Sequence, residues 1–238
     1  MPAHRTLGIV LLLVLVLTTA CGTNDETALD NDMPVSDVLA RASDRLAETQ
    51  SMRFDLRIEG TTYVDSARTI QLTAARGVMA RPDAVDVEFQ ARLLGATTVT
   101  IRMITVDESS WTTNLVTGDW EPAPEEFGYN PSLLYDQQDG LGPVMSRLES
   151  ATVAGTQTVD GRAAYHVTAT ASAAIMRPLT SGTMRGDPVR VELWVDGETW
   201  DLLRIVLKEP RDAGIEDPAT WTMHLTDHDA PVSIKPPA

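Results

Sequence analysis

The chain contains a single cysteine, Cys21, and its thiol is the most clearly placed reactive group in the sequence. It directly follows an apolar run of 11 residues, Leu7 to Leu17, and three small residues at positions 18–20. A cysteine becomes a catalytic nucleophile when a folded environment lowers its pKa. No fold surrounds a residue one step past such a run, so we expect Cys21 to have no catalytic role.

Residues 1–20 have the layout of a secretory signal peptide. His4 and Arg5 form a small basic region in front of the apolar run. That run is about half of the roughly 20 residues that a helix needs to span a bilayer. A secreted protein cut near Ala20 and an uncleaved membrane anchor are two interpretations of this layout.

The residues around the cysteine favour a third interpretation. A small residue directly before a sole cysteine resembles a bacterial lipobox, in which the thiol receives a diacylglycerol and the cysteine becomes the mature N-terminus. Thr18 stands where the lipobox usually has leucine, and Leu17 lies one position further back. We expect residues 1–20 to be a lipoprotein signal peptide and Cys21 to be anchored in the cell membrane on its extracytoplasmic face.

Other reactive residues form no recognisable catalytic or metal site. The sequence lacks a G-x-S-x-G elbow, an H-E-x-x-H motif and a glycine-rich phosphate loop. His166 lies on the polar side of a strand-like pattern, where we expect an exposed residue rather than a base. One cluster is ligand-like, but it alternates as a strand and turns at Pro231: His224, Asp227, His228 and Asp229. We expect a protein with no enzymatic activity, metal or cofactor; an envelope hydrolase would need a convergent polar group that the sequence does not display.

The charge balance excludes one class of partner. Without residues 1–20, the chain has 18 basic and 34 acidic residues and a formal net charge of −16. Binding to nucleic acid requires a basic face that neutralises phosphates. We therefore expect no nucleic-acid partner.

The rest of the chain divides into a tether and one domain. Residues 21–33 are polar, acidic and without apolar periodicity, which is typical of a flexible linker. The domain, residues 34–238, opens with a helix predicted to have Ser36 as its N-cap and to end near Gln50. With no second cysteine, the domain depends on its hydrophobic core, and we expect it to be a monomer.

Strands dominate the domain. Apolar and polar residues alternate along several segments, such as Met52 to Glu59 and Val189 to Asp196, which indicates strands with one apolar and one solvated face. Hairpins are predicted at 117–119, 160–161 and 196–197. About nine or ten strands make a sheet about 45 Å wide. Two or three short helices cannot cover its apolar face, so either the sheet curls closed or a lined cavity remains.

Several stretches together resemble the LppX/LprA/LprF/LprG family of actinobacterial envelope lipoproteins, which is related more distantly to the LolA and LolB carriers. The match runs over nearly all of the mature chain. The order and spacing of several stretches support the resemblance, and no single motif among them is diagnostic. The stretches are Trp111 to Trp120 (WTTNLVTGDW), Pro131 to Leu148 (PSLLYDQQDGLGPVMSRL), Asp160 to Val167, Trp194 to Asp196, and Leu225 to Pro237 (LTDHDAPVSIKPP).

The resemblance implies an α+β fold and a non-enzymatic function. The fold would be a half-barrel, a strongly curved single antiparallel sheet with a few helices on its concave face enclosing a hydrophobic cavity. The function would be binding acylated lipids or glycolipids and carrying them across the cell envelope, with an inner-membrane lipid exporter as a candidate partner. A surface lipoprotein with a packed core and a signalling or scaffolding role is the alternative.

The residues expected to line the cavity follow from alternation alone, and each could instead be ordinary packed core. From the sheet they are Phe54, Leu56, Ile58, Val87, Phe89, Val99, Ile101 and Met103. From a helical segment between strands they are Leu133, Leu134, Leu141, Val144 and Met145. A short Ala- and Met-rich helix around Ile175 and Met176 is a candidate lid, because methionine adapts to irregular apolar shapes.

Overall fold

The computed structural model describes residues 29–30, 32–65, 67–107, 109–123, 134–211 and 216–237. The predicted signal peptide, Cys21 and Leu133 lie outside these residues. The first element is helix α1 (Val35–Glu48), whose buried stripe is formed by Val38, Leu39, Ala42 and Leu46. The predicted N-cap, Ser36, is wrong: Pro34 occupies that position and no side chain caps the helix. The fixed φ of proline suits a helix start, which explains the shift.

Six strands follow the helix in the first half of the chain. They are β1 (Ser51–Glu59), β2 (Ile70–Ala80), β3 (Ala84–Leu93), β4 (Thr97–Val106), β5 (Ser109–Thr113) and β6 (Trp120–Pro122). The second half contains two short helices and five strands. They are α2 (Leu141–Met145), β7 (Glu149–Val159), β8 (Arg162–Ala171), α3 (Ala173–Thr180), β9 (Val189–Asp196), β10 (Leu202–Lys208) and β11 (Thr220–Thr226).

All described strands belong to one antiparallel sheet with the order β6-β5-β4-β3-β2-β1-β11-β10-β9-β8-β7. The first and last strands, β1 and β11, pair in the middle of the sheet, and β6 and β7 form its unpaired edges. The predicted single, large antiparallel sheet is confirmed. The strand count is higher than the predicted nine or ten, and β2 shows why alternation undercounts: its buried residues, Leu72, Ala75 and Met79, are not all spaced by an even number of positions.

The predicted hairpins are confirmed. The turns at 117–119, 160–161 and 196–197 each connect paired neighbours, β5 with β6, β7 with β8 and β9 with β10. Two of the short helices also lie where the sequence places them, α2 within 141–148 and α3 over the Ala- and Met-rich segment. Among the described helices, none combines the length and the apolar character needed to cross a membrane.

The hydrophobic core lies between one face of the sheet and the three helices. Strands β1–β4 and β8–β11 contribute to it, together with the buried sides of α1, α2 and α3. A smaller cluster on the opposite face contains Val159, Ala164, Trp194, Leu203 and Val206. His166 lies on this outer face, but it is less exposed than expected. Its ring stacks on Trp194 at 4.5 Å between centroids, and its side chain is 14% exposed.

Candidate functional site

The space between sheet and helices contains a small apolar cavity of about 20 Å³. Its walls come from strands β1, β10 and β11, from α2 and α3, and from the segment before α2. The lining residues are Leu56, Leu134, Leu141, Leu179, Ile205, Leu207, Trp221 and Met223. Trp221 carries the only polar group among these side chains, and its Nε1 donates a hydrogen bond to Thr62 Oγ1 at 3.0 Å.

Most of the residues predicted to line a cavity lie in or against the main core. Leu56, Leu134 and Leu141 line the small cavity itself. Phe54, Val87, Met103, Val144 and Met145 are buried in the surrounding core, and Ile58 and Phe89 are half-buried against it. Ile101 is buried but does not belong to the described core cluster. Leu133 lies outside the described residues.

Val99 lies apart from this group. It is half-buried and lines a surface groove together with Thr100 and the turn residues 113–118. Its register partner on β3 is Ala91, two residues from the partner of Ile101. Val99 therefore occupies the apolar side of β4 near the end of the strand, where the described helices do not cover it.

Five residues that line the cavity are absent from the predicted lining: Leu179, Ile205, Leu207, Trp221 and Met223. Four of them lie on β10 and β11; β11 alternates regularly, whereas β10 is apolar and buried at most of its positions. The sequence does not show that β11 pairs with β1, and this pairing brings Met223 beside Leu56. Leu179 lies in α3, where eight residues give too little periodicity to define a face.

The cavity is small compared with an acyl chain. A volume of about 10–15 Å³ on this measure holds one water molecule, so about 20 Å³ leaves room for little more than that. The interior is therefore packed in this conformation. The side chains that fill it are unusually adaptable, because seven of the nine methionines are buried in the main core: Met52, Met79, Met103, Met145, Met176, Met184 and Met223.

A network of ion pairs connects α1 to residues at one end of the sheet. Arg45 Nε donates to Asp201 Oδ1 at 2.8 Å, and Arg45 Nη2 donates to Asp229 Oδ2 at 2.6 Å. Arg162 approaches Asp201 from the other side, with Nη2 at 2.8 Å from Oδ2. Burial alone would raise the pKa of Asp201, but hydrogen bonds from Arg162 and Thr199 and nearby positive charges outweigh burial and lower that pKa. The carboxylate is thus held ionised beneath the helix.

The ligand-like residues near the C-terminus have structural partners in this network and beside it. Asp229 accepts the Gln50 backbone N–H at 2.7 Å, and His228, whose side chain is 5% exposed, donates from Nε2 to Leu202 O at 3.2 Å. Asp227 pairs with Arg53 at the surface. In the described ranges, no three His, Cys, Asp or Glu side chains are grouped so as to hold a metal ion. The chemistry available to the site is burial of apolar groups.

Known proteins resemble this chain in sequence and in fold. Curated relatives named "Putative diacylated glycolipid transporter LprF", from Mycobacterium bovis and Mycobacterium tuberculosis, are 28% identical over 123 residues, which is 48% of this chain and 44% of the relative. The match thus spans less than half the length of these relatives.

Solved structures share the fold over most of the chain. The crystal structure of LprF from M. bovis has 20% identity and a TM-score of 0.68, covering 89% of this chain and 99% of the other. The crystal structure of the M. tuberculosis lipoprotein LppX has 16% identity and a TM-score of 0.58, covering 84% and 98%. The model of the LppX_LprAFG lipoprotein family matches residues 35–234. The chain therefore belongs to the LppX_LprAFG lipoprotein family.

Proposed function

We propose that this protein is a membrane-anchored lipoprotein that binds acylated lipids or glycolipids between its sheet and helices and carries them across the cell envelope. One observation supports the proposal: among the described residues, helices of only 14, 5 and 8 residues cover the apolar face of an eleven-stranded sheet. The name of the mycobacterial relatives, a diacylated glycolipid transporter, supports lipid as the ligand.

The physical need for such a carrier comes from the acyl chains. Each methylene exposed to water costs about 0.8 kcal/mol, so a long-chain lipid leaves a bilayer very slowly without a protein that shields it. The leucines, isoleucine, tryptophan and methionine around the cavity provide an apolar lining of the required kind.

Loading requires the interior to open, because the cavity is much smaller than an acyl chain. Separation of α2 and α3 from the sheet would widen it, and both helices are short. Pro178 lies within α3 and cannot donate an intrahelical hydrogen bond, which weakens that helix. The buried methionines can then rearrange around the ligand, since their unbranched side chains fit irregular apolar shapes.

Anchoring through Cys21 keeps the domain close to its lipid source. Leu29 packs against the core, with its side chain over Gly197. Seven residues lie between it and Cys21, and the eight steps of about 3.5 Å each extend at most about 28 Å. Replacing Cys21 with alanine should release the protein from the membrane fraction and remove the mass of the attached acyl groups; retention of both would contradict the anchor.

Mass spectrometry of organic extracts tests the cargo. We expect the purified full-length chain to release non-covalently bound acylated lipid at about one molecule per protein. Leu179→Trp fills the cavity and should reduce the yield severalfold, whereas Ala174→Trp, on the exposed side of α3, should not. Equal yields from the two variants would contradict binding in the interior.

The size of the cavity favours a second candidate, a tethered surface module with a packed core and a signalling or scaffolding role. Such a module would release no more lipid than a membrane protein without a binding site. The same extraction therefore separates the two functions.

A further inference from the structure

A polar cleft lies beside the apolar cavity, between α1 and the segment from Leu134 to Ser146. Its volume is about 230 Å³, far above the roughly 10–15 Å³ that holds one water molecule on this measure. Hydroxyl, amide and guanidinium groups line it together with apolar residues. The polar ones are Ser43, Arg81, Tyr135, Asp136, Gln137 and Ser146.

Arg81 brings a fixed positive charge to this cleft, and some of its donors have no partner among the described residues. Its Nε donates to Thr49 O at 2.8 Å and its Nη2 to Leu46 O at 3.1 Å, so the end of α1 holds the side chain in place. A guanidinium has five N–H donors, and these two bonds leave three. Among the described residues, no carboxylate lies within 4.0 Å of it, although the chain is strongly acidic.

Tyr135 supplies a second, independent feature. Its ring lies under the Arg81 guanidinium, 4.6 Å from ring centroid to Cζ. The residue is 5% exposed, and its buried hydroxyl has no hydrogen-bond partner in the described part of the protein. Burial raises the pKa of this hydroxyl, so it stays a neutral donor and acceptor. A buried polar group without a partner is costly, and a ligand oxygen would remove that cost.

Leu134 connects the cleft to the interior. Among the described residues, it is the one that lines both the cleft and the apolar cavity, and it is 3% exposed. A molecule with a polar group in the cleft would therefore have its apolar part directed past this side chain towards Leu56 and Met223. A lipid has this division between a polar headgroup and acyl chains.

The lining also indicates the chemistry of the headgroup. Asp136 Oδ1 accepts the backbone N–H groups of Gln138 and Asp139, at 2.7 Å each, and these bonds lower the pKa of its carboxyl. An ionised carboxylate at the rim disfavours a second anion and accepts from hydroxyl groups. Arg81 and Tyr135 donate to ester and hydroxyl oxygens. This combination suits an uncharged headgroup that is rich in hydroxyl groups.

We propose that the cleft between α1 and residues 134–146 holds the uncharged, hydroxyl-rich headgroup of the bound lipid, and that its acyl chains pass Leu134 to enter the interior. This inference rests on the proposed lipid-binding function and adds the position and class of the headgroup. It makes Arg81 and Tyr135 headgroup contacts, although neither was predicted from the sequence.

Photo-crosslinking with two probes tests the placement in the full-length chain, reconstituted in nanodiscs. One probe is a monoglycosyl diacylglycerol with a diazirine on the sugar; the other carries the diazirine at the end of an acyl chain. The sugar probe should label peptides that contain Arg81 and residues 134–146, and the acyl probe should label peptides that contain Leu179, Ile205 and Met223. Phosphatidylglycerol with a headgroup diazirine should label the cleft more weakly than the sugar probe.

A matched pair of variants on α1 provides the control. Ala47 is exposed and lines the cleft, whereas Ala40 is exposed and does not. Ala47→Trp should reduce cleft labelling about tenfold, equivalent to about 1.4 kcal/mol, and Ala40→Trp should leave it unchanged. Neither substitution touches the core, so both chains should fold.

The outcomes separate the two proposals. Labelling of the interior by the acyl probe, with the sugar probe elsewhere or insensitive to Ala47→Trp, would overturn the headgroup site and leave the carrier function standing. Stronger cleft labelling by phosphatidylglycerol would overturn the uncharged headgroup. Failure of the acyl probe to label the interior would overturn the carrier function as well.

Discussion

Leu56 on β1 and Met223 on β11 are direct register partners, and both side chains line the apolar cavity. The first and last strands of the domain therefore meet at the candidate site. Because these strands are far apart in the chain, the cavity forms only when the two halves of the sheet have joined. Contacts of this long range are typical of slowly folding β-rich domains.

The network around Asp201 should contribute more to stability than exposed ion pairs do. We expect Arg45→Met to lower the free energy of unfolding by about 2 kcal/mol, because it leaves the buried Asp201 carboxylate with one partner fewer. Arg53→Met removes the pair with Asp227, whose side chains are 57% and 55% exposed, and should cost less than about 1 kcal/mol. Urea denaturation of both variants measures the difference, and equal losses would contradict a special role for the network.

Acidification should destabilise the domain. Burial lowers the pKa of His228 below its ordinary 6.5, so the unfolded chain takes up a proton at this residue at a higher pH than the folded chain does. The free energy of unfolding should therefore fall as the pH drops below about 6.5, and fall further near pH 4 as the unfolded chain protonates Asp201.

Denaturation at a series of pH values between about 7.5 and 5 checks this dependence. His228→Gln retains a side-chain donor for Leu202 O and should reduce the slope in that range. An unchanged slope in the variant would show that other groups cause the acid sensitivity.

Two glycine-to-alanine substitutions should differ strongly in how much they lower the stability of the domain. A Cβ at Gly77 would collide with the carbonyl oxygen of Asp86 and lie 2.9 Å from Val87 Cα, so we expect Gly77→Ala to cost about 1–3 kcal/mol. The three atoms nearest to a Cβ at Gly197 all belong to the flexible side chain of Leu29, and Gly197→Ala should cost less than about 1 kcal/mol. Thermal unfolding compares the two, and a stable Gly77→Ala protein would contradict the close approach of β2 and β3 at this position.

The strands were predictable where one face is apolar and the other solvated. The apolar pattern located β1, β3, β4, β9, β10 and β11, and Gly-containing turns located the hairpins, because these signals are local. Strand β2 gives a weaker signal, because a register shift between Leu72 and Ala74 interrupts the spacing of its buried residues. Pairing of β1 with β11 was not predictable, since no local pattern specifies which distant strands meet.

The candidate site was predictable only in part for the same reason. Leu56, Leu134 and Leu141 follow from strand and helix periodicity, but the cavity walls from β10 and β11 depend on the strand order. Arg81 and Tyr135 had no sequence signal at all. Their proposed role depends on the 4.6 Å between Arg81 Cζ and the Tyr135 ring centroid, and on the Tyr135 hydroxyl, which has no hydrogen-bond partner among the described residues. Only the three-dimensional structure shows these two features.

The fluorescence of Trp221 offers the most direct test that acyl chains enter the interior. Trp221 lines the cavity, whereas Trp194 lies on the opposite face of the sheet beside His166. Transfer of lipids with brominated acyl chains to the full-length protein should quench tryptophan emission. Most of the quenching should be lost in Trp221→Phe and retained in Trp194→Phe, since Trp200 only packs against the edge of the same core as a half-buried residue. Equal quenching in both variants, or no quenching in the unmodified protein, would contradict lipid binding between the sheet and the helices.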